Sequence, residues 1–333
     1  MKAIRVIENC QSNHLPEEIL LSNEPLLLKN FVHDWPLVKE AKKSDSAVIS
    51  YLRNFDAKKP LTAMTGDPSI KGRIFYNEDL SGFYFDYRRV SLEEIFQKLT
   101  ECSKLEEPPM IYVGSTNIDN WLPGFREEND ITLGKHQPIA SLWIGNRSRV
   151  APHYDFPTNI ACSVAGKRRF TFFSPEHLDN LYVGPIDFSP AGQPISLVDL
   201  LDPDYEKFPK YRNAESDAIV ADLDVGDAVL IPSMWWHHVE ARNDLNVLVN
   251  YWWRTTPNFM GSPLNVLQHA IMGLRDLPDE QRGIWKSLFD YYVFNQKEEN
   301  ISHIPENARG ALNPMDENIA DKIKNVRQIN LDK

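Results

Sequence analysis

Ala151-Pro-His-Tyr-Asp-Phe-Pro-Thr-Asn159 sets an imidazole and a carboxylate one residue apart. Side chains in extended backbone alternate between two faces, so His153 and Asp155 share a face and can grip one cation. A further histidine from elsewhere would complete a two-His, one-carboxylate facial triad. That donor set leaves coordination positions open and is the arrangement of non-haem Fe(II) oxygenases. Alone, a His-x-Asp tripeptide arises by chance, and the competing reading is a surface loop with a charged pair. The candidate third ligand lies in Asp222-Leu-Asp-Val-Gly-Asp-Ala-Val-Leu-Ile-Pro-Ser-Met-Trp-Trp-His237-His238-Val239. Val225-Gly226-Asp227 reads as a turn before a buried strand, Pro232 ends that strand's ladder, and the histidines follow. Adjacent histidines in extended chain face opposite ways, so one of the two joins the cation. Period two does not say which. The competing reading for either is a packed, hydrogen-bonded histidine beside two tryptophans.

Outward from these segments the chain reads as strands. Residues 110–114, 140–145, 159–164, 168–173, 219–221, 228–231 and 245–253 are short, β-branched or aromatic, and separated by Gly, Pro, Asn or Asp. Many short strands with long connections predict a sandwich or double-sheet jelly roll. The longest connection, 174–218, is rich in Pro, Asp and Tyr and reads as a lid or insertion. Upstream, residues 1–60 read as mixed α/β, with a short strand at Pro25-Leu-Leu-Leu-Lys-Asn-Phe31 and helical spacing over 35–51 that is broken at 44–46. Strand signals follow at 61–65, 72–77 and 82–87. Ser91-Leu-Glu-Glu-Ile-Phe-Gln-Lys-Leu99 is a helix start with Ser at the N-cap and glutamates in the first turn. Beyond Pro257, helical spacing returns over 263–274 and 279–294, and the polar stretch from about 297 reads as only partly ordered. The expected organisation is a domain over 1–257 with an N-terminal α/β elaboration, then a helical extension over 258–333.

Composition narrows the function classes. The 333 residues are 42% hydrophobic and 25% charged, which describes an ordinary globular chain and not a disordered one. The net charge of −11 counts against nucleic acid as a partner, leaving room only for a local basic groove. Cys10, Cys102 and Cys162 form no CxxC pair and suggest reduced thiols. The opening residues meet charge too early for a secretory segment, and no apolar run reaches membrane-spanning length. The expectation is a cytoplasmic protein with no membrane association.

Several segments together resemble the Jumonji-C/cupin-like Fe(II)- and 2-oxoglutarate-dependent oxygenases. The likeness is greatest to the branch that hydroxylates asparagine in hypoxia-inducible factor. It runs from Pro25-Leu-Leu-Leu-Lys-Asn-Phe-Val-His-Asp-Trp35 through Val90-Ser-Leu-Glu-Glu94, Ala151-Pro-His-Tyr-Asp155, Gly166-Lys-Arg-Arg-Phe170 and Ile231-Pro-Ser-Met-Trp-Trp-His-His-Val239 to Asn250-Tyr-Trp-Trp253. The resemblance implies a mainly β fold with flanking helices, built on a double-stranded β-helix core. It implies catalytic iron held by His153, Asp155 and His237, with His238 a supporting residue facing away. It also implies a 2-oxoglutarate pocket containing Tyr112, Asn159, Arg168, Asn250 and Trp252. Arg168 stands where the nearest relatives carry lysine, and Val150 where they carry a threonine hydroxyl. Lys167 or Arg169 would serve if the register were shifted by one, and the competing reading of all three cations is a solvated strand face.

The implied reaction is hydroxylation of a substrate C–H, with succinate and CO2 as co-products. A protein or peptide side chain is the expected substrate, crossing the barrel mouth near Phe75, Tyr76, Phe83, Tyr84, Phe85, Tyr87 and the 174–218 connection; ordinary strand packing is the other reading of these aromatics. The resemblance favours hydroxylation over lysine demethylation. It also suggests a homodimer through the helices over 262–294, whose apolar residues (Val266, Leu267 and Trp285 among them) could equally pack on their own β core. Two alternatives compete. One is a cupin-type metal enzyme acting on a small molecule without 2-oxoglutarate, and the other is a non-catalytic binding module on the same fold.

Overall fold

Eight strands make the core: β1 (Ile139–Gly145), β2 (Ser148–His153), β3 (Thr158–Ala165), β4 (Arg168–Phe173), β5 (Ile219–Leu223), β6 (Ala228–Ile231), β7 (Trp236–Ala241) and β8 (Asn246–Trp253). They form two antiparallel arrays, β6-β3-β8-β1 and β5-β4-β7-β2. Successive strands cross from one array to the other, except β4 and β5, which are neighbours joined by the long connection. This is the expected mainly β, double-stranded β-helix with flanking helices. The structure is a computed structural model and describes residues 2–190 and 192–331. It divides into two compact units, Met1–Arg254 and Thr255–Lys333.

In the first unit the β1 array is widened to a nine-stranded sheet. Met110–Asn117 pairs with β1, Leu61–Gly66 with Met110–Asn117, and Phe85–Val90 forms the far edge. On the other side Leu26–Leu28 pairs with β6, and Arg5–Ile7 lies parallel to it. Alternation gives this sheet two buried faces. Ile160, Cys162, Val164, Val247, Val249 and Tyr251 face a cluster that includes Leu37, Val48, Leu52, Ile95 and Phe96. Those last residues lie on the helices Pro36–Ala41, Asp45–Arg53 and Leu92–Cys102. The helix breaks where the sequence signals place them: Ser44 caps Asp45–Arg53 by accepting from the Ala47 amide, and Ser91 forms a capping box with Glu94. The opposite face carries Ala161, Val229 and Leu248, which point into the barrel and meet Phe170 of the facing array.

Two turns fix the barrel's closure. Gly166 joins β3 to β4 at φ +71°, and a Cβ there would lie 2.6 Å from the Leu245 carbonyl, so a side chain is excluded on both counts. Asp227 is buried in the turn before β6. Its carboxylate accepts from Lys29 Nζ at 2.7 Å, the Asn30 amide at 2.8 Å and the Asp224 amide at 3.0 Å. It thus ties Leu26–Leu28 to the core. Replacing Asp227 by alanine leaves two amides unsatisfied, and the expected loss is about 3 kcal/mol of unfolding free energy. Urea denaturation checks this, and a loss below about 1 kcal/mol would contradict it.

The sequence reading requires one correction here. It omitted β2 and β7 from its strands, although these carry the site histidines. Within the polar stretch after residue 297, Glu298–Ile301 and Glu317–Leu331 are helical. The second unit contains, in addition, the helices Pro263–Leu274 and Asp279–Phe289 and a π-turn at Asp290–Phe294. No helix among the described residues is long and apolar enough to cross a membrane. The 174–218 connection carries a short helix, Tyr211–Asp217. It packs its own cluster (Leu181, Val198, Tyr211, Ala214) against Phe173 and Trp236.

Candidate active site

The end of β2 sits opposite the start of β7, and His153 pairs directly with His237. Between that pair and Val150–Val239 the register slips, so β2 holds one extra residue across Ala151-Pro152. Pro152 has no N–H to lose at such a bulge. The bulge lets Val150 and His153, three residues apart, both face the interior. Asp155 follows in the turn, as the period-two argument requires. That turn is pinned from the β6–β7 side: the Met234 amide donates to the Asp155 carbonyl at 2.8 Å and Ser233 Oγ to the Phe156 carbonyl at 2.6 Å.

His153, Asp155 and His237 each present one donor atom, and these atoms lie within 4.8 Å of one another. The imidazole rings are 4.2 Å apart, and His237 Nε2 is 3.7 Å from Asp155 Oδ2. Each ring is oriented by its own strand. Nδ1 of His153 donates to the Ala151 carbonyl at 2.9 Å, and Nδ1 of His237 to the Trp235 carbonyl at 3.0 Å. Both Nε2 lone pairs are thereby left for a cation. Burial and the neighbouring His153 hold His237 well below the usual imidazole range, so it is neutral. Burial also raises the Asp155 carboxyl, against the pull of His153 and the Trp252 indole. A carboxylate held at a desolvation cost beside two imidazoles suits a divalent cation.

The triad opens into a cavity of about 320 Å³, which is also lined by Tyr112, Asn159, Arg168, Asn250 and Trp252. All eight residues singled out in the sequence therefore meet in one space. The register question is settled by β4. Arg168 faces inward and is 5% exposed, whereas Lys167 and Arg169 are outside with Asp224 and Asp222 at 3.0 and 2.6 Å. Burial pushes the Arg168 guanidinium down to about 10, so it stays charged at neutral pH, and its Nε has no hydrogen-bond partner among the described residues. Tyr112 is pushed far up by burial and keeps its phenolic proton. A buried cation with an orphaned donor beside a phenol suits an anionic ligand. Val150 lines the same cavity and offers no hydroxyl. His238 is buried on the other face of β7, with Nδ1 3.9 Å from Glu240.

The sequence reading missed several lining residues. Trp143 Nε1 donates to Asn250 Oδ1 at 2.7 Å, and Asn250 Nδ2 donates to Asn159 Oδ1 at 3.2 Å. An indole nitrogen only donates, so this chain orients both amides. Period two from Leu142 and Ile144 could have put Trp143 on the inner face. Gly114 is required beside it, because a Cβ there would lie 2.9 Å from the Trp143 ring. Thr62, Met64, Ile74, Ser115 and Pro190 also line the cavity and carried no sequence signal. The aromatic residues expected beside a peptide at the barrel mouth are not part of this cavity's lining. Phe83 stacks on Phe85 and Phe188 at 5.0 and 4.7 Å, and Tyr87 reaches the Pro190 carbonyl at 3.4 Å.

Residues 12–259 match the Cupin-like domain family, and the chain belongs to that family, with its JmjC-domain members. The chain is 25% identical to JmjC domain-containing protein D of Dictyostelium discoideum, over 69% of this chain and 51% of that protein. It is 30% identical to HSPB1-associated protein 1 of Bos taurus, over 71% of this chain and 49% of that protein. Lysine-specific demethylase 8 of Xenopus tropicalis is 24% identical, over 74% and 52%. The chain thus spans about half the length of these curated relatives. JmjC and cupin-like family members are iron- and 2-oxoglutarate-dependent oxygenases or demethylases.

Proposed function

We propose that this protein is an Fe(II)- and 2-oxoglutarate-dependent dioxygenase that hydroxylates a C–H bond of a protein or peptide side chain. The carrying observation is the coincidence of two fits in one cavity, a three-donor cation site and a buried arginine with an unpartnered Nε beside a phenol. His153, Asp155 and His237 would hold the iron. Arg168 and Tyr112 would take the far carboxylate of 2-oxoglutarate, and the Trp143-ordered amides of Asn250 and Asn159 would line its path. When bound, iron supplies activation of dioxygen, coupling loss of CO2 from 2-oxoglutarate to insertion of one oxygen atom into substrate and one into succinate. The protein's share is to fix the donors through backbone carbonyls, keep the site dry and hold the substrate group at the open side.

The motif likeness to asparaginyl hydroxylases supports hydroxylation over demethylation. The metal triad, complete in the fold, supports an enzyme over a binding module, and Arg168 supports a 2-oxoglutarate user over a cupin that works without it. The free cysteines suit a reducing compartment, and we place the protein in the cytoplasm. Nucleic acid is disfavoured by the net charge of −11. Mn(II), as an unreactive substitute for Fe(II), tests the reading. The melting temperature is expected to rise with 2-oxoglutarate only when Mn(II) is present, because one chelates the other. Stabilisation by neither would contradict it. A homodimer through Pro263–Leu274 and Asp279–Phe289 accords with their exposed Val266, Leu267, Met272, Ile284 and Trp285. Light scattering should then give twice the 38.4 kDa chain mass, and a monomer at micromolar concentration would end that idea.

A further inference from the structure

Among the described residues lining the cavity, Asp155 and Arg168 are the acidic and basic side chains besides the paired imidazoles of His153 and His237. In the proposed reaction both are committed, Asp155 to the cation and Arg168 to the co-substrate carboxylate. Thr62, Met64, Ile74, Ser115 and Pro190, which line the cavity from outside the eight core strands, are all neutral. The charged residues next to lining residues in sequence do not line the cavity, and each lies in an ion pair, with Arg73 and Arg149 sharing one carboxylate. Arg73, next to Ile74, lies 3.6 Å over the Phe75 ring and 3.5 Å from Asp199. Arg149, next to Val150, meets the same Asp199 at 3.0 Å. Lys167 and Arg169, on either side of Arg168, are paired outside. With iron and 2-oxoglutarate in place, no side chain of opposite sign is left among the described residues that line the cavity to receive a third charge.

An ammonium, guanidinium or carboxylate brought to the open side of the metal would lose hydration without gaining a partner, the costliest way to bury a polar group. A neutral amide, hydroxyl or aliphatic group carries no such penalty. We infer that the substrate group this cavity admits is an uncharged side chain, in contrast to the lysine in the name of the Xenopus tropicalis relative. The inference rests on the dioxygenase reading and narrows its substrate class.

N-oxalylglycine keeps the chelating and carboxylate ends of 2-oxoglutarate but is not decarboxylated. N-oxalyl amino acids add one side chain that projects into the remaining space. Two matched pairs, N-oxalylnorleucine with N-oxalyllysine and N-oxalylglutamine with N-oxalylglutamate, differ within each pair chiefly in charge. Both enantiomers of each would be titrated into the Mn(II)-loaded full chain by calorimetry or ligand-observed NMR. The neutral member of each pair is expected to bind at least tenfold more tightly. A charged member that matches or exceeds its neutral mate, including the case in which neither binds, would overturn the inference while N-oxalylglycine binding preserved the dioxygenase reading. Failure of N-oxalylglycine itself to bind would overturn that reading and the inference together.

Discussion

Asp155→Ala is expected to reduce succinate release from 2-oxoglutarate to background, a loss of more than about a hundredfold. Altering residues that merely orient metal ligands costs about 10–100-fold, and removing the single anionic donor must cost more. Two imidazoles would be left, with no anionic donor to balance a divalent ion. The fold should not suffer in parallel. Burial already raises the Asp155 carboxyl in the metal-free protein, so the native state carries this group at a cost. The thermal midpoint of the metal-free variant is therefore expected to equal or exceed that of wild type. A variant that still decarboxylates 2-oxoglutarate would refute the ligand assignment, and one that fails to fold would refute the argument that the carboxylate is functional and not structural.

Arg168→Ala is expected to act differently, raising the 2-oxoglutarate concentration needed for half-maximal rate about 100-fold while iron loading is unchanged. Truncating one partner of a buried charge pair costs about 2–5 kcal/mol, and tenfold in affinity is about 1.4 kcal/mol. Arg168→Lys should recover much of the loss, because lysine keeps the charge but not the planar fork. Lysine's shorter reach, with no hydroxyl at Val150 to help, should leave a deficit of severalfold. An unchanged requirement in the alanine variant would mean that another cation serves, although Lys167 and Arg169 are engaged outside the barrel.

Much of this site could be read from residue order because its chemistry is local. His153 and Asp155 share a face through the plain alternation of extended chain. Arg168 was matched to the cation position by its place after Gly166, and only the register of β4 separated it from Lys167 and Arg169. The strands β2 and β7 escaped notice for the reason that makes them useful. Pro152 and the paired histidines interrupt the apolar β-branched pattern by which strands are recognised. Which of His237 and His238 meets the cation depended on the pairing of β7 with β2 across more than 80 residues, which no local period encodes. Thr62, Met64 and Pro190 reach the cavity through tertiary placement of the added strands and the long connection, so nothing in their own neighbourhoods marked them.

Equilibrium dialysis of the purified protein against Fe(II) under argon, with metal content measured per chain, tests the central claim most directly. Wild type should retain one ferrous ion per chain. His153→Ala, Asp155→Ala and His237→Ala should each fall well below that, while His238→Ala should keep it. Equal loading of the first three variants, or an empty wild type, would contradict the triad on which the function rests.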